Sequence, residues 1–326
     1  MNVIVIGLGS MGRRRIELIK RFDPSINVFG VDMSSERRQD AEKILDIRTY
    51  PSIKEAYLET NAESAFVSTS PLSHAQIINE CLNYEMNVFT EINLVVQGYD
   101  ENIELAKKKN KVLFLSSTFL YRKEIEYIKQ VVTDSKLQLS YNYHVGQYLP
   151  DWHPWENYKD FFVGDKKTNG CRELMAIEFP WIIETFGKVV DYKVIKGKNS
   201  TLKIDYPDTY HILFMHENGH HGMIEIDVVS RKAERKLEVI GEELFLKWNG
   251  TPDSVEVFDI HNKESVKIDI LKNIERKKGY AEFIVEDAYL NEIINFFNVI
   301  SGKEKSRFSF EKDLEILKLI DEIEGE

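Results

Sequence analysis

Gly7-Leu8-Gly9-Ser10-Met11-Gly12 spaces three glycines as in a phosphate-binding turn, directly after the apolar run Val3–Ile6 and before a helical pattern carrying Ile16, Ile19 and Phe22. Each glycine has its own job there. Gly7 permits the tight bend, Gly9 lets a diphosphate approach the backbone, and Gly12 allows the helix to pack against the strand. Ser10 and Met11 open a helix whose unpaired amides and positive dipole end favour anionic oxygens. The next β-rich run ends at Asp32, 20 positions past Gly12, where a carboxylate can hydrogen-bond both hydroxyls of an adenosine ribose and repel a 2′-phosphate. The implied ligand is a dinucleotide, NAD ahead of NADP, with Arg37 and Arg38 keeping NADP open. Asp32 could instead cap the following helix, and the two roles are compatible.

The elements that must position these residues follow a regular grammar. Short, nearly continuous apolar runs at Asn2–Ile6, Asn27–Val31, Ala65–Ser68, Asn87–Thr90 and Val112–Leu115 alternate with helix-like segments, as in a parallel sheet covered on both faces. Ser52-Ile53-Lys54-Glu55 reads as a capping box, and Ser73 as the cap of His74–Asn83. Beyond Thr118 the pattern changes. A helix over Tyr121–Val132 leads to a strand within Leu137–Val145, an aromatic loop from Gly146 to Phe162 and a helix over Arg172–Phe186. Strands are then expected at Val189–Ile195, Tyr210–His216, Gly222–Val229, Lys236–Ile240, Leu244–Trp248 and Val255–Ile260, and Asn218-Gly219 signals a type I′ hairpin. Helices at about Glu282–Ile300 and Phe310–Ile320 finish the chain. The expected architecture is α/β: a doubly wound Rossmann domain over residues 1–118, then an α+β domain over 119–326 with an open, mostly antiparallel sheet.

Composition narrows the partners. The chain has 326 residues, 43% apolar and 30% charged, with a formal charge of −11, which disfavours nucleic acid. The run Arg13-Arg14-Arg15 reads as helix surface or as added positive potential beside the phosphate turn. No stretch reaches the roughly 20 apolar residues of a membrane span. Cys81 and Cys171 form neither a disulfide framework nor a thiolate cluster, which fits a cytoplasmic protein.

Two further segments, Ser68-Thr69-Ser70-Pro71-Leu72-Ser73-His74 and Glu91-Ile92-Asn93, resemble motifs of the Gfo/Idh/MocA oxidoreductases, and the layout of the whole chain is similar to that family. The resemblance implies that Thr69, Ser70, Pro71 and His74 line the nicotinamide half of the cofactor and that Glu91 meets its ribose. It also exposes two departures. The family's Glu-Lys-Pro becomes Glu91-Ile92-Asn93, and counting back from Phe186-Gly187 puts Ile177 where the His of an Asp-x-Gly-x-His pattern is expected. Isoleucine has no titratable group, so neither position can transfer a proton.

Candidate replacements are His153, whose unperturbed pKa lies near neutrality, and Glu173 and Glu178, whose pKa values burial could raise although solvent-exposed helix carboxylates are their plainer reading. In Tyr148-Leu149-Pro150-Asp151-Trp152-His153-Pro154-Trp155-Glu156, Tyr148, Asp151 and Trp152 suit a sugar, by stacking on its CH faces and bonding its hydroxyls; packing of the tryptophans is the alternative. Arg122 could position an anionic group of the substrate or form a surface salt bridge. No metal site is expected: His211, His216, His220 and His221 lie on alternating strand faces or flank a turn.

The leading expectation is an NAD-dependent oxidoreductase acting on a hydroxyl or ketone of a sugar or nucleotide sugar. A catalytically silent NAD-binding scaffold and a non-redox epimerase or glycosidase with retained NAD are the alternatives. A homodimer or homotetramer is expected, formed through a sheet face bearing Leu237, Val239, Phe245 or Trp248.

Overall fold

Val3, Ile4 and Val5 are fully shielded from solvent, as a strand between two helical layers must be. Their strand, β1 (Asn2–Ile6), starts a regular alternation in the computed structural model, which describes residues 1–153, 156–270 and 286–325. It continues through α1 (Ser10–Phe22), β2 (Asn27–Val31), α2 (Ser35–Leu45), β3 (Thr49–Tyr50), α3 (Ile53–Thr60), β4 (Ser64–Val67), α4 (His74–Asn83), β5 (Asn87–Thr90), α5 (Tyr99–Lys109) and β6 (Leu113–Leu115). All strands pair in parallel in the order β3-β2-β1-β4-β5-β6. In such a sheet the order reverses between β1 and β4, and ligands sit beyond the carboxyl ends of the strands at that point.

Two cap readings separate here. The Ser52 hydroxyl accepts the Glu55 amide at 3.2 Å, as expected. Ser73 caps nothing, because a 3-10 turn over Pro71–Ser73 leaves it helical; its hydroxyl donates to the Ser70 carbonyl at 2.7 Å instead.

The chain divides into one unit of Met1–Thr118 with Tyr289–Lys318 and a second of Phe119–Ala288 with Leu319–Glu326. The expected second domain, residues 119–326, differs from this division by the returning segment. Burial explains the return: Phe296 packs edge-on against Phe66, Phe89 and Phe114 at centroid distances of 5.1, 5.6 and 5.6 Å, completing the first unit's aromatic core.

The second unit contains α6 (Lys123–Asp134), β7 (Ser140–Gly146), α7 (Gly170–Phe186), β8 (Val189–Gly197), β9 (Thr209–His216), β10 (His221–Asp227), β11 (Glu234–Ile240), β12 (Phe245–Trp248), β13 (Glu256–Asp259) and β14 (Glu264–Lys267). The sheet order is β14-β13-β12-β11-β7-β10-β9-β8. β7 and β10 are parallel and the other neighbours antiparallel. Two helices end the chain, α8 (Glu286–Ile300) and α9 (Phe310–Glu324); residues 282–285 of the expected helix lie outside the described residues.

Two expectations fail in this sheet. The β9–β10 hairpin is closed by the Gly219 amide donating to the His216 carbonyl at 2.9 Å, and Gly219 has φ +87° while Asn218 keeps a negative φ. A type I′ turn needs both positive, so the connection is a longer turn ending in a left-handed glycine. Leu237, Val239 and Trp248, assigned to an open face, are fully buried. Strand alternation explains it: Leu237 and Val239 sit opposite the buried Tyr143 and Tyr141, so they share the core face. Phe245 is half-buried, and the apolar residues exposed on the opposite face include Leu213, Met215 and Met223. Among the described residues, no helix is long and apolar enough to cross a membrane.

Candidate functional site

The phosphate turn separates its three glycines by cause. Gly7 has φ +91°, and a Cβ there would lie 2.5 Å from the Ser68 carbonyl oxygen; at Gly12 it would lie 1.8 Å from the Gly7 oxygen. Those two glycines are required by the protein itself. At Gly9 a Cβ would meet nothing within 4 Å, so the open space there suits a ligand approaching the backbone. Gly9 is the N-cap of α1, with no side-chain cap and no acidic residue in the first turn. Ser10 is exposed and Met11 partly so. Uncapped helical amides beside a glycine make a cradle for a diphosphate.

Asp32 is tied into this turn. Its Oδ2 accepts the Leu8 amide at 2.8 Å and its Oδ1 the Ser34 amide at 2.9 Å. Ser34, not Asp32, caps α2 by accepting the Arg37 amide. The carboxylate therefore braces the end of β2 against the phosphate turn, with lone pairs left for ribose hydroxyls. Arg38 spends one guanidinium nitrogen on the Asp32 and Met33 carbonyls at 2.7 and 3.0 Å. Arg37 is exposed, 3.9 Å from Asp32.

After β4, the Thr69 hydroxyl lies 2.8 Å from that of Ser73, Ser70 is exposed, and Pro71 is buried at the start of its turn. His74 is buried, with Nε2 3.0 Å from the Thr69 carbonyl and Nδ1 2.9 Å from Asn93 Oδ1. Burial pushes its pKa below the usual value, so the ring is neutral and carries one N–H. Nε2–H must then donate to Thr69, and Nδ1 needs a donor. The Thr90 hydroxyl, 3.3 Å from Nδ1, can supply it, as can the Asn93 amide once turned over. The imidazole thus fixes the backbone of the Thr69–Pro71 segment.

Glu91 is gripped by Arg15, with Nε at 2.7 Å from Oε1 and Nη2 at 3.0 Å from Oε2. Arg15 also reaches Glu292 Oε2 at 2.9 Å and Ser116 Oγ at 3.2 Å. Burial alone would lower the arginine's pKa, but Glu91 and Glu292 raise it, so the guanidinium stays charged. Sequence reading put Arg15 on the surface or beside the phosphates. It is fully buried, because Glu292, more than 200 residues away in sequence, is folded beside it.

In the second unit, α7 separates the two candidate glutamates. Glu178 accepts the Tyr143 hydroxyl at 2.6 Å, Trp181 Nε1 at 2.7 Å and Arg235 Nε at 2.8 Å, and is fully buried. Neither a proton-transfer role nor exposure to solvent fits it; it anchors α7 to the sheet. Glu173 lies in the first turn of α7, and its Oε2 is buried without a hydrogen-bond partner among the described residues. Burial pushes its carboxyl up to about 8. The expectation of an exposed helix carboxylate fails here too.

Arg122 does not match its expected role. It is buried, bonding Glu124 Oε1 at 2.7 Å and the Gly250 carbonyl at 2.8 Å, with its guanidinium over the rings of Phe119 and Trp248. No face is left for a substrate anion.

In the aromatic loop, Trp152 Nε1 donates to the Gln147 carbonyl at 3.1 Å. A Cβ on Gly170 would come 3.5 Å from the tip of the Trp152 ring, so the loop packs against the start of α7, near Glu173. Tyr148 carries Arg231 over its ring at 4.0 Å, Asp151 is exposed, and His153 Nδ1 lies 3.0 Å from Glu156 Oε1. Pro154 and Trp155 lie outside the described residues. His216 and His220 have structural partners, Tyr141 and the Gly187 carbonyl for the first and the Leu139 amide for the second.

Residues 1–117 match the Gfo/Idh/MocA family model, described as an oxidoreductase family with an NAD-binding Rossmann fold. Myo-inositol 2-dehydrogenase of Thermotoga maritima is 22% identical over 321 residues, covering 93% of this chain and 89% of that protein. Among solved structures, levoglucosan dehydrogenase in complex with NADH superposes with a TM-score of 0.82 at 14% identity, covering 99% of this chain and 95% of the other. UDP-N-acetylglucosamine 3-dehydrogenase from Acidithiobacillus ferrooxidans gives 0.75 at 16% identity, covering 99% and 96%. At these identities the structures establish a shared fold.

Proposed function

Because residues 1–117 match the Gfo/Idh/MocA oxidoreductase family model, we propose that the chain is an oxidoreductase of that family, an NAD-dependent dehydrogenase of a secondary hydroxyl, or the matching ketone, on a sugar or nucleotide sugar, with Glu173 exchanging the substrate's proton. Bound NAD supplies the two-electron partner for that oxidation. The residues fit it: Gly9 and the first amides of α1 hold the diphosphate, Asp32 takes the adenosine ribose, and Glu91, fixed by Arg15, takes the second ribose. The Thr69–Pro71 segment, held by His74, lines the nicotinamide half. Asp32 and the engagement of Arg38 with backbone carbonyls favour NAD over NADP.

The observation that carries the reading is Glu173. Its buried, unpartnered carboxyl oxygen stands one helical turn before Ile177, on the same helix face. A carboxyl with a pKa near neutrality can give or take a proton at working pH, the task Ile92 and Ile177 cannot do. Tyr148, Asp151 and Trp152 offer stacking and hydrogen-bonding surface for the sugar; His153, paired with Glu156, is the second candidate for the proton. Self-association belongs to the same reading, through the sheet face exposing Leu213, Met215 and Met223; a monomer in light scattering contradicts that part.

The test is single-turnover reduction of NAD by a panel of inositols, free sugars and nucleotide sugars, followed by absorbance. Reduction with at least one substrate, lost in Glu173→Gln, is expected. No spectral change with any of them overturns the reading, and turnover without net cofactor reduction transfers it to epimerase or glycosidase chemistry.

A further inference from the structure

The face of the second unit's sheet opposite its core carries a row of imidazoles and carboxylates with no counterpart in sequence spacing. Glu225 on β10 is the direct cross-strand partner of His144 on β7 and of His211 on β9, and partners across a sheet point to the same face. Asp227, two residues further along β10, shares that face. The donor atoms of His144, Glu225 and Asp227 lie within 4.8 Å of one another, and His144 Nε2 is 2.8 Å from Asp227 Oδ2.

The three side chains differ in how they are held. Asp227 is fixed: its Oδ1 accepts the Val229 and Ser230 amides at 2.8 and 2.6 Å, and its Oδ2 accepts the Ser230 hydroxyl at 2.9 Å. Gly146 leaves it room, since a Cβ there would come 2.3 Å from Asp227 Oδ2. His144 is partly exposed. Glu225 makes no hydrogen bond or ion pair among the described residues, although it sits beside a second carboxylate. Two carboxylates held this close favour a positive charge between them, which protonated His144 meets in part through Nε2 and which a metal ion bound in place of its proton would meet more fully.

We propose that His144, Glu225 and Asp227, with His211 swinging in as a fourth ligand, bind one divalent transition-metal ion of the zinc class. Imidazole and carboxylate are the ligands such an ion takes, at about 2.0–2.2 Å in a tetrahedron. A closed set of four donors marks a structural ion, which would bridge β7, β10 and β9 across the sheet. The exposed cation beside the row is Lys236, the cross-strand partner of His144 on β11. Glu234, cross-strand from Gly146, is paired with Lys232 at 2.8 Å.

The experiment is calorimetric titration of Zn2+ into the full chain, chelator-treated and free of any affinity tag, with Mg2+ as the control for unspecific acidic binding. One Zn2+ per chain is expected, weakened at least tenfold in His144→Gln and in Glu225→Gln and to a smaller degree in His211→Gln. Both primary substitutions are at residues outside the buried core, and circular dichroism checks that each variant folds; Asp227 is left unaltered because it holds the turn after β10. Absence of Zn2+ binding, equal binding of Mg2+, or affinities within twofold of the parent in both primary variants overturns the site.

Discussion

In the proposed function, the turn between β1 and α1 works through its backbone and the start of α7 through side chains. A Cβ on Gly12 would collide with the Gly7 oxygen, while Gly9 faces open space, so the proposed diphosphate binding rests on the spacing of the glycines. On α7, Glu173 and Glu178 are separated by little more than one turn and look alike in sequence. Three partners, Tyr143, Trp181 and Arg235, make one structural, and the lack of a partner for Oε2 among the described residues is what marks the other as the proposed proton carrier. Backbone function is thus readable from spacing, whereas the role of a carboxylate is decided by residues distant in sequence.

The contrast on α7 gives the largest expected effect. Glu173→Gln should lower turnover by about 10²–10⁴-fold, the range of general acid–base catalysis, with a melting temperature at neutral pH no lower than the wild type's. Glu178→Ala should do the reverse, costing about 3–5 kcal/mol of stability by leaving Arg235 without its buried partner. Denaturant melts beside steady-state rates check both; equal loss of activity at equal stability would erase the distinction. Arg122→Met belongs with Glu178, since it strands the buried Glu124. A loss of stability with KM unchanged is expected, and a selective rise in KM would restore its role toward substrate.

The glycine contrast is smaller. Gly12→Ala should cost about 1–3 kcal/mol of stability, the usual size of overpacking, and abolish NAD binding. Gly9→Ala should fold normally and lose affinity only, as calorimetry with NAD will show; normal NAD affinity in that variant would mean the diphosphate does not approach there.

The Rossmann half was legible because a parallel sheet writes its strands as apolar runs, and Gly7, Gly9, Gly12 and Asp32 all sit at positions set by the chain's own turns. What escaped depended on distant pairing. Arg15 was read with its neighbours Arg13 and Arg14, although Glu91 and Glu292 bury it. Leu237 and Val239 were put on the wrong face, since alternation in β11 leaves the choice of face to its partner strand. The return of residues 289–318 to the first unit had no local signal, as Phe296 looks like any helical phenylalanine until Phe66, Phe89 and Phe114 surround it.

Stability also carries the sign of Glu173's shift. The folded carboxyl holds its proton up to about 8, and the unfolded one releases it near the ordinary value of about 4.3. Between those pH values the unfolded state binds fewer protons, so this group's contribution falls as pH rises through the window and is constant on either side. Glu173→Gln should flatten that part of the stability–pH curve.

The most direct test is the pH dependence of kcat for hydroxyl oxidation at saturating NAD, in the wild type and in Glu173→Gln. Oxidation needs the carboxylate form to take up the substrate's proton, so the account predicts a limb rising through about pH 8 in the wild type and none in the residual rate of the variant. The same rising limb in both proteins would assign the proton to another group and contradict the account.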